Sequence, residues 1–242
     1  MRMLAIETAT LAQGVVLAED DRLLAELSYE AKGNRGGLLL PAVDQALKKA
    51  GLAARDLDAV AVSVGPGSFT GLRVGLATAK GLALGAGAVL VGVPTLEALA
   101  EGYVLQDGTI CALLDAYRGE VYMAVFRRKG NTLERLSPDA VLAPEAVASA
   151  LAGVEGSVHL VGNGAARYRE RLEAALGGRA CVTEEGLRAV PSAAVVAQLG
   201  FRQLAGGNKP DAGVAPIYLR RAEAEVNWEK GLLKSPLARV SR

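Results

Sequence analysis

The chain has 242 residues, about half of them hydrophobic, and its 27 basic side chains are balanced by 26 acidic ones. A chain of this length buries roughly 70 to 75 % of its unfolded surface, so we expect it to fold unaided as one large or two small domains. Because nucleic-acid binders usually carry a basic excess, the near-neutral charge argues against tight, solitary binding to RNA or DNA.

Cysteine and histidine are scarce in the sequence. Cys111 and Cys181 lie in apolar, strand-like runs, which favours buried thiols over a disulfide. The one histidine, His159, has no cysteine or second histidine near it in sequence, so we expect no metal site. The apolar run at the N-terminus is too short for a signal peptide, and no run of about 20 apolar residues occurs. We therefore expect a cytoplasmic protein that does not associate with a membrane.

The first hundred residues predict the order βββαβαβα. Apolar spacing, turn residues and helix-terminating glycines mark the elements. The predicted elements are strands at 2–8, 14–20 and 22–30, a helix at 37–50, a strand at 58–64, a helix at 70–84, a strand at 88–93 and a helix from 94 or 95 to 100.

The same order begins again at Thr109. It comprises strands at 109–116, 120–128 and 132–138, a helix at 144–151, a strand at 158–163, a helix at 165–176, a strand at 179–183 and a helix at 192–205. Two copies of this order predict an α/β protein with a duplicated actin-like (ASKHA) fold. We expect an N-terminal domain at 1–104, which carries the partner-binding helices, and a C-terminal domain at 105–206. We expect the segment 207–242 to pack back on the first domain, with its last part, 227–242, forming either a solvated tail or a basic docking arm.

The segment SVGPGSFTGLRVGLATAKGLA (63–83) places five glycines at and inside a predicted helix. Ser68 or Thr70 can cap this helix, so its first amides could receive an anion, although neither the Walker nor the dinucleotide pattern is matched. A glycine inside a helix costs about 1 kcal/mol relative to alanine, so a close contact should offset it. Internal packing, a partner surface and phosphate binding remain as alternatives.

Small side chains share one predicted face of the helix at 70–84, which would let another helix approach closely. They are Gly71, Gly75, Thr78, Ala79 and Leu82. The approaching helix is either the one at 37–50 or one from a partner. An apolar stripe on the helix at 37–50 consists of Leu39, Leu40, Val43 and Leu47. Arg73 and Lys80 lie beside the small face, where they either flank an acidic partner or are solvated.

Acidic residues end the first predicted strand of each half. Glu7, followed by Thr8, ends the first, and Asp115 ends its counterpart. Acids at such positions can hold a metal–nucleotide complex, so ATP with Mg²⁺ is a candidate ligand. The turns that follow, ETATLAQG and DAYRGE, are both altered from a phosphate loop. The sequence therefore predicts a degenerate nucleotide cleft.

Further residues could belong to this cleft. Gly162 and Gly164 in LVGNGAA form either a relic turn or a working nucleotide site. Arg118 either binds a carboxylate or phosphate, or lies in a hairpin turn in which Gly119 adopts a positive φ.

Four segments resemble the TsaB (YeaZ) family: LAIETAT, VGPGSFTGLRVGLATAKGLA, LLDAYRGEVYMAVF and PIYLR. The resemblance runs over nearly the whole chain. It implies a degenerate actin-type fold without catalysis or a cofactor of its own, which binds the related catalytic protein TsaD. With the ATPase TsaE, these proteins install threonylcarbamoyl on the adenosine beside the anticodon of certain transfer RNAs.

The leading hypothesis is a noncatalytic subunit of this threonylcarbamoyl transferase system. It binds TsaD through the helices at 37–50 and 70–84, touches transfer RNA mainly through the complex, and forms a homodimer when alone. One alternative is an ATP-binding or ATP-hydrolysing enzyme that acts on its own. Another is a dimeric module with a different partner.

Overall fold

The described part of the chain forms two β-sheets, one from each half. The computed structural model describes residues 1–20, 22–31, 37–207 and 213–220. The strands are β1 (Arg2–Glu7), β2 (Ala12–Glu19), β3 (Arg22–Glu30), β4 (Ala59–Gly65), β5 (Val89–Pro94), β6 (Asp107–Asp115), β7 (Val121–Lys129), β8 (Thr132–Arg135), β9 (Ala140–Leu142), β10 (Val158–Val161) and β11 (Ala180–Cys181). The helices are α1 (Leu39–Ala50), α2 (Phe69–Ala86), α3 (Thr95–Gly102), α4 (Val147–Ala150), α5 (Asn163–Arg167), α6 (Arg169–Leu176), α7 (Glu184–Arg188) and α8 (Ala193–Ala205).

The two sheets have the same topology. The first has the order β3-β2-β1-β4-β5, with β1 antiparallel to β2 and parallel to β4. The second has the order β8-β7-β6-β10-β11, with β6 antiparallel to β7 and parallel to β10, and β9 is added beside β7. This repetition confirms the predicted duplicated, actin-like α/β fold.

Helices cover both faces of the first sheet, so its central strands are apolar on both sides. Leu4 and Ile6 of β1 belong to the core under α1 and α2. Met3 and Ala5 point the other way, into the core formed with α8. The alternation along β1 therefore divides the first half into two hydrophobic layers.

Some elements of the second half differ from the prediction. The helix predicted over 165–176 is two helices, α5 and α6, because the backbone of Tyr168 leaves the helical region between them. The sequence did not predict β9 or α7, since elements of three and five residues are too short to show a period.

The predicted domain 105–206 ends with α8, but the structure places this helix on the first sheet. Val196 and Ala197 pack in one core with Met3, and a Cβ atom on Gly200 would lie 3.0 Å from the Cβ of Ala61. The last helix of the second half therefore covers the sheet of the first half. Its apolar face is visible in the sequence, but the sheet that it covers is not.

Residues 213–220 return to the two sheets after α8. Val214 lies in the core under α1 and α2, and Leu219 packs against the core around β6. The other parts of the predicted terminal segment, 208–212 and 221–242, lie outside the described residues. Within the described ranges, every helix is too short or too polar to span a membrane.

A buried ion cluster ties α3 to both halves. The Glu101 carboxylate lies 2.9 Å from Arg128 Nη1 on β7, with side chains only 4 % and 7 % exposed. The other oxygen lies 2.5 Å from Arg202 Nη1 on α8. Arg128 also donates to the carbonyl oxygens of Ala100 and Glu101. Because β7 belongs to the second sheet and α8 covers the first, one carboxylate links the two halves.

Glu101→Gln should destabilise the protein by about 3 kcal/mol, because removing one partner leaves a buried guanidinium without its countercharge. Urea denaturation measures the change. Glu145→Gln is the matched control, since Glu145 pairs with Arg171 in an exposed ion pair, and it should change stability little. Equal effects of the two variants would contradict the special role of the buried cluster.

Candidate functional site

The turn after β1 is seated against the first turns of α2. The Ser68 N–H donates to the carbonyl oxygen of Ala9 at 2.7 Å, and the Thr8 hydroxyl donates to the carbonyl oxygen of Gly71 at 2.9 Å. The Ser68 hydroxyl accepts from the Gly71 N–H, which caps the helix. The N–H groups of Ser68 and Gly71 at the start of α2 therefore bond to groups of the chain itself.

Glycines make this contact possible. A Cβ atom on Gly71 would lie 2.1 Å from the carbonyl oxygen of Thr8, and one on Gly75 would lie 2.1 Å from the Thr8 hydroxyl oxygen. On Gly67 it would lie 2.6 Å from the carbonyl oxygen of Ala9. Of the three alternatives for the glycine-rich segment, these positions match internal packing.

The predicted small face is therefore mostly internal. Gly71, Gly75 and Ala79 are buried, while Thr78 and Leu82 are half-buried at its flank. Thr8 occupies the space beside Gly71 and Gly75, so no second helix packs against these two glycines, whereas Ala79 lies in the core under α1 and α2.

The outer face of α2 carries a second set of small residues, which the sequence analysis missed. Ala77, Gly81 and Gly85 are exposed, and among residues 1–20, 22–31, 37–207 and 213–220 no atom beyond the local helix lies within 4 Å of a Cβ position on either glycine. Leu84, on the same side, is 87 % exposed. The signal was present as a four-residue spacing, but α2 is apolar on most sides and the pattern does not say which side faces outward.

The apolar stripe predicted on α1 also faces inward. Leu39, Val43 and Leu47 belong to the core under α1 and α2. Leu40 is 59 % exposed and lies beside the exposed Leu38. Of the four predicted positions, Leu40 is the one that a partner could reach.

The two predicted cations differ in their surroundings. Arg73 is exposed, and its guanidinium lies 3.9 Å from the centre of the Phe69 ring. Arg73 Nε donates to the Tyr218 hydroxyl at 3.1 Å. Lys80 lies further along α2 and is also exposed. Both are placed where an acidic group could approach from solvent.

A cleft of about 470 Å³ lies between the two halves. Its lining residues are Ala9, Thr10, Leu11, Gly67, Ser68, Leu114, Asp115, Tyr117, Asn163, Ala166 and Arg167. Of the residues proposed for a nucleotide, Asp115 is the one that lines this cleft.

The Asp115 carboxylate is held by neighbouring groups of the chain. Oδ2 lies 3.1 Å from Arg167 Nη1, and Oδ1 accepts from the Tyr117 N–H and the Tyr168 hydroxyl. The Asp115 N–H donates to the side-chain oxygen of Asn163 at 2.9 Å. A metal–nucleotide complex would have to displace these donors from Asp115.

The paired glycines of LVGNGAA allow β6 to approach. Gly162 has φ 105°, and a Cβ atom there would lie 2.3 Å from the carbonyl oxygen of Leu113. On Gly164 it would lie 2.8 Å from the carbonyl carbon of Leu114. Contacts within the chain account for both glycines, which favours a relic turn over a nucleotide site.

The β6–β7 hairpin contains three consecutive positive φ angles: 59° at Tyr117, 55° at Arg118 and 83° at Gly119. The positive φ predicted at Gly119 is confirmed. The Ala116 N–H donates to the carbonyl oxygen of Glu120 at 3.0 Å and closes the turn. A turn of this kind accounts for the segment without a ligand at Arg118.

Glu7 is buried, with 1 % of its surface exposed, and Thr8 is fully buried. Burial raises the pKa of Glu7 to about 7, although hydrogen bonds from the Ala9 N–H and Ser63 lower it in part. Glu7 Oε1 accepts from the Ala9 N–H, and Oε2 has no hydrogen-bond partner among the described residues. The buried carboxyl therefore takes up a proton more readily than a carboxyl in solvent.

The histidine and both cysteines lie in strands of the second sheet. His159 Nδ1 lies 3.2 Å from the Tyr103 hydroxyl, and burial lowers the pKa of the imidazole. Both cysteines are free, with Cys111 buried and Cys181 half-buried. In the part of the chain that the structure describes, no three metal-binding side chains converge on one point.

Sequence comparison finds relatives along nearly the whole chain. The family model "TsaD: tRNA N6-adenosine threonylcarbamoyltransferase" matches residues 31–228. The "tRNA threonylcarbamoyladenosine biosynthesis protein TsaB" of Bacillus subtilis is 32 % identical over 94 % of this chain and 98 % of that protein. Its Escherichia coli namesake is 35 % identical over 95 % of this chain and 98 % of that protein.

Structural comparison finds YeaZ proteins. The solved structure "YeaZ from Pseudomonas aeruginosa" superimposes with a TM-score of 0.76 at 27 % identity, covering 90 % of this chain and 99 % of that one. A second Pseudomonas aeruginosa structure, of an uncharacterized protein with similarity to peptidase YEAZ, has a TM-score of 0.78 at 29 % identity, with the same coverage of both chains.

Alanine at an inner and at an outer glycine of α2 should have opposite effects. Gly71→Ala should destabilise the protein by about 2 kcal/mol or more, because its methyl group would collide with the Thr8 backbone. Gly81→Ala should stabilise it by up to about 1 kcal/mol, because it gains helix propensity in open space. Urea denaturation at concentrations low enough for monomers measures both, and effects of the same sign would contradict the assignment of faces.

Glu7→Gln should flatten the pH dependence of stability. A carboxyl with a raised folded pKa contributes stability that is fully present below its unfolded pKa of about 4.5 and is lost as pH rises through about 7. The variant should therefore gain about 3 kcal/mol relative to the original chain at alkaline pH and little in acid. Denaturation curves across this range measure the difference, and parallel pH profiles would contradict the assignment.

Proposed function

Because the chain belongs to the TsaB family and matches the TsaD family model over most of its length, we propose that it is a noncatalytic partner of TsaD in tRNA threonylcarbamoyladenosine biosynthesis. The observation that carries the proposal is the exposed outer face of α2, where Ala77, Gly81, Leu84 and Gly85 lie together. We call this set the outer α2 face.

Energetics support docking at the outer α2 face. Each helix glycine costs about 1 kcal/mol relative to alanine. At Gly71 and Gly75 the contact with Thr8 offsets that cost, but at Gly81 and Gly85 no contact from the described residues does. A partner helix that approaches the backbone closely would supply the missing dispersion contacts.

Exposed apolar side chains occur on both helices that cover this side of the first sheet. Leu84 is 87 % exposed, and burying such a side chain contributes about 1.5–3 kcal/mol. Leu38 and Leu40 are exposed at the start of α1, which covers the same side of the first sheet as α2. Arg73 and Lys80 lie toward the edge, where they would steer an acidic partner more than they would strengthen the contact.

Sequence similarity between this chain and a threonylcarbamoyltransferase supports a twofold arrangement of the chain and its proposed partner. A threonylcarbamoyltransferase of Maricaulis maris is 56 % identical to this chain over 55 residues, which are 23 % of this chain and 15 % of that protein. Two related chains can pair through equivalent faces about a pseudo-twofold axis. The same face would hold a homodimer when TsaD is absent, so the two assemblies would exclude each other.

The cleft supports a role without catalysis. Asp115 is engaged by Arg167 and Tyr168, and Glu7 is buried and does not line the cleft. The chain would act by binding the productive state of TsaD more tightly than the unproductive one, which shifts its population. TsaE and transfer RNA would meet the chain in the larger cytoplasmic complex, the latter mainly through TsaD.

Leu84→Arg should weaken binding to TsaD from the same organism by at least about tenfold, because a charge would be buried in an apolar contact. Isothermal titration measures the affinity, and light scattering of the variant alone should show loss of the homodimer. Val104→Arg is the matched control, since Val104 is also 80 % exposed but lies beyond α3. Unchanged titration of Leu84→Arg, or equal losses in both variants, would reject the outer α2 face as the docking site.

A further inference from the structure

Residues 213–220 cross the carboxyl ends of β4 and β5 and touch the start of α2. The Ile217 N–H donates to the carbonyl oxygen of Val64 at 2.7 Å. A Cβ atom on Gly65 would lie 2.7 Å from the Ile217 carbonyl oxygen, so glycine permits this crossing. The Tyr218 ring then packs against Phe69, with ring centres 4.9 Å apart.

The same segment continues onto the other half of the molecule. Leu219 packs against the core around β6. Arg220 donates to the carbonyl oxygen of Ala116 at 2.8 Å and lies 2.8 Å from the Glu120 carboxylate. Both partners belong to the β6–β7 hairpin, whose Tyr117 lines the cleft. A single residue, Leu219, therefore separates Tyr218, which contacts α2, from Arg220, which contacts the β6–β7 hairpin.

We propose that residues 213–220 form a strap that couples the first turns of α2 to the β6–β7 hairpin. A change in the Arg73–Tyr218 contact alters the hold of Arg220 on the hairpin, and a change at the hairpin alters the surroundings of Arg73. The coupling is reciprocal because both contacts belong to one equilibrium of the strap. It is a property of the chain alone and does not rest on TsaD binding.

The strap suits this role because its anchors differ in strength. Val214 is buried, and Ile217 is held by a backbone hydrogen bond, so this part is fixed. Tyr218 is 40 % exposed, and its hydroxyl is a neutral acceptor for the exposed Arg73. A carboxylate forms an ion pair with a guanidinium, which a neutral hydroxyl cannot, so an acidic group arriving from solvent would compete with Tyr218 for Arg73.

Amide hydrogen exchange in the full chain, followed by NMR, tests the coupling. The reporters are the N–H groups of Ala116 and Glu120, which close the hairpin through bonds to Glu120 and Tyr117. Tyr218→Phe keeps the ring and removes the hydroxyl, and Arg73→Gln removes the cation. Each should speed exchange at both reporters about three- to tenfold, as expected for the loss of one hydrogen bond from a local opening.

Three controls separate coupling from general destabilisation. Arg220→Gln cuts the strap at the hairpin and should speed exchange at least as much as Tyr218→Phe. Arg171→Gln removes an exposed arginine paired with Glu145 and should leave the reporters unchanged. Amides of β10 report global opening, and their rates should stay constant in every variant.

Reciprocity provides the last measurement. Glu120→Gln should speed exchange of the Leu72 N–H, which bonds the Ser68 carbonyl oxygen in the first turn of α2. If Arg220→Gln speeds hairpin exchange while Tyr218→Phe and Arg73→Gln do not, residues 213–220 are a static staple and the proposal is overturned. Faster exchange confined to Tyr218→Phe and Arg73→Gln, with none in Arg220→Gln, would reject it as well.

Discussion

The seating of Thr8 and Ala9 against α2 is the constraint on which the other contacts depend. It brings Thr8, just after β1, within hydrogen-bonding distance of Gly71, which lies 63 residues later in the first turn of α2. Steric exclusion at Gly67, Gly71 and Gly75 leaves no space for side chains there. Because the turn after β1 lies against this side of α2, the helix is oriented with its other glycines outward.

That orientation separates two uses of one residue type. Glycine on the inner face of α2 serves the fold, while Gly81 and Gly85 on the outer face cost helix stability without a contact from the described residues. The inner glycines therefore belong to the fold, and the outer ones belong to the surface that we propose for assembly. The engagement of Asp115 by Arg167 and Tyr168 fits the same division.

Local patterns in the sequence were sufficient for the order of the longer elements, since strong periodicity in β1, α1 and α8 is independent of distant contacts. They did not separate Gly75 from Gly81, because the difference between them is the position of Thr8. Likewise, Asn163 interrupts a pair of glycines for a reason visible only when Asp115 is placed beside it. The residues of the cleft and of the docking face therefore needed the tertiary structure.

The crossing of α8 also bears on how the chain is made. The layer of the first sheet that contains Met3 and Ala5 receives its cover from a helix that ends at Ala205. During translation this layer stays exposed to water until most of the polypeptide has left the ribosome, so the N-terminal half cannot mature as an independent unit. Nascent chains of this protein consequently expose an apolar face of the first sheet for most of their synthesis. Chaperones at the ribosomal tunnel exit bind exposed apolar surface of this kind.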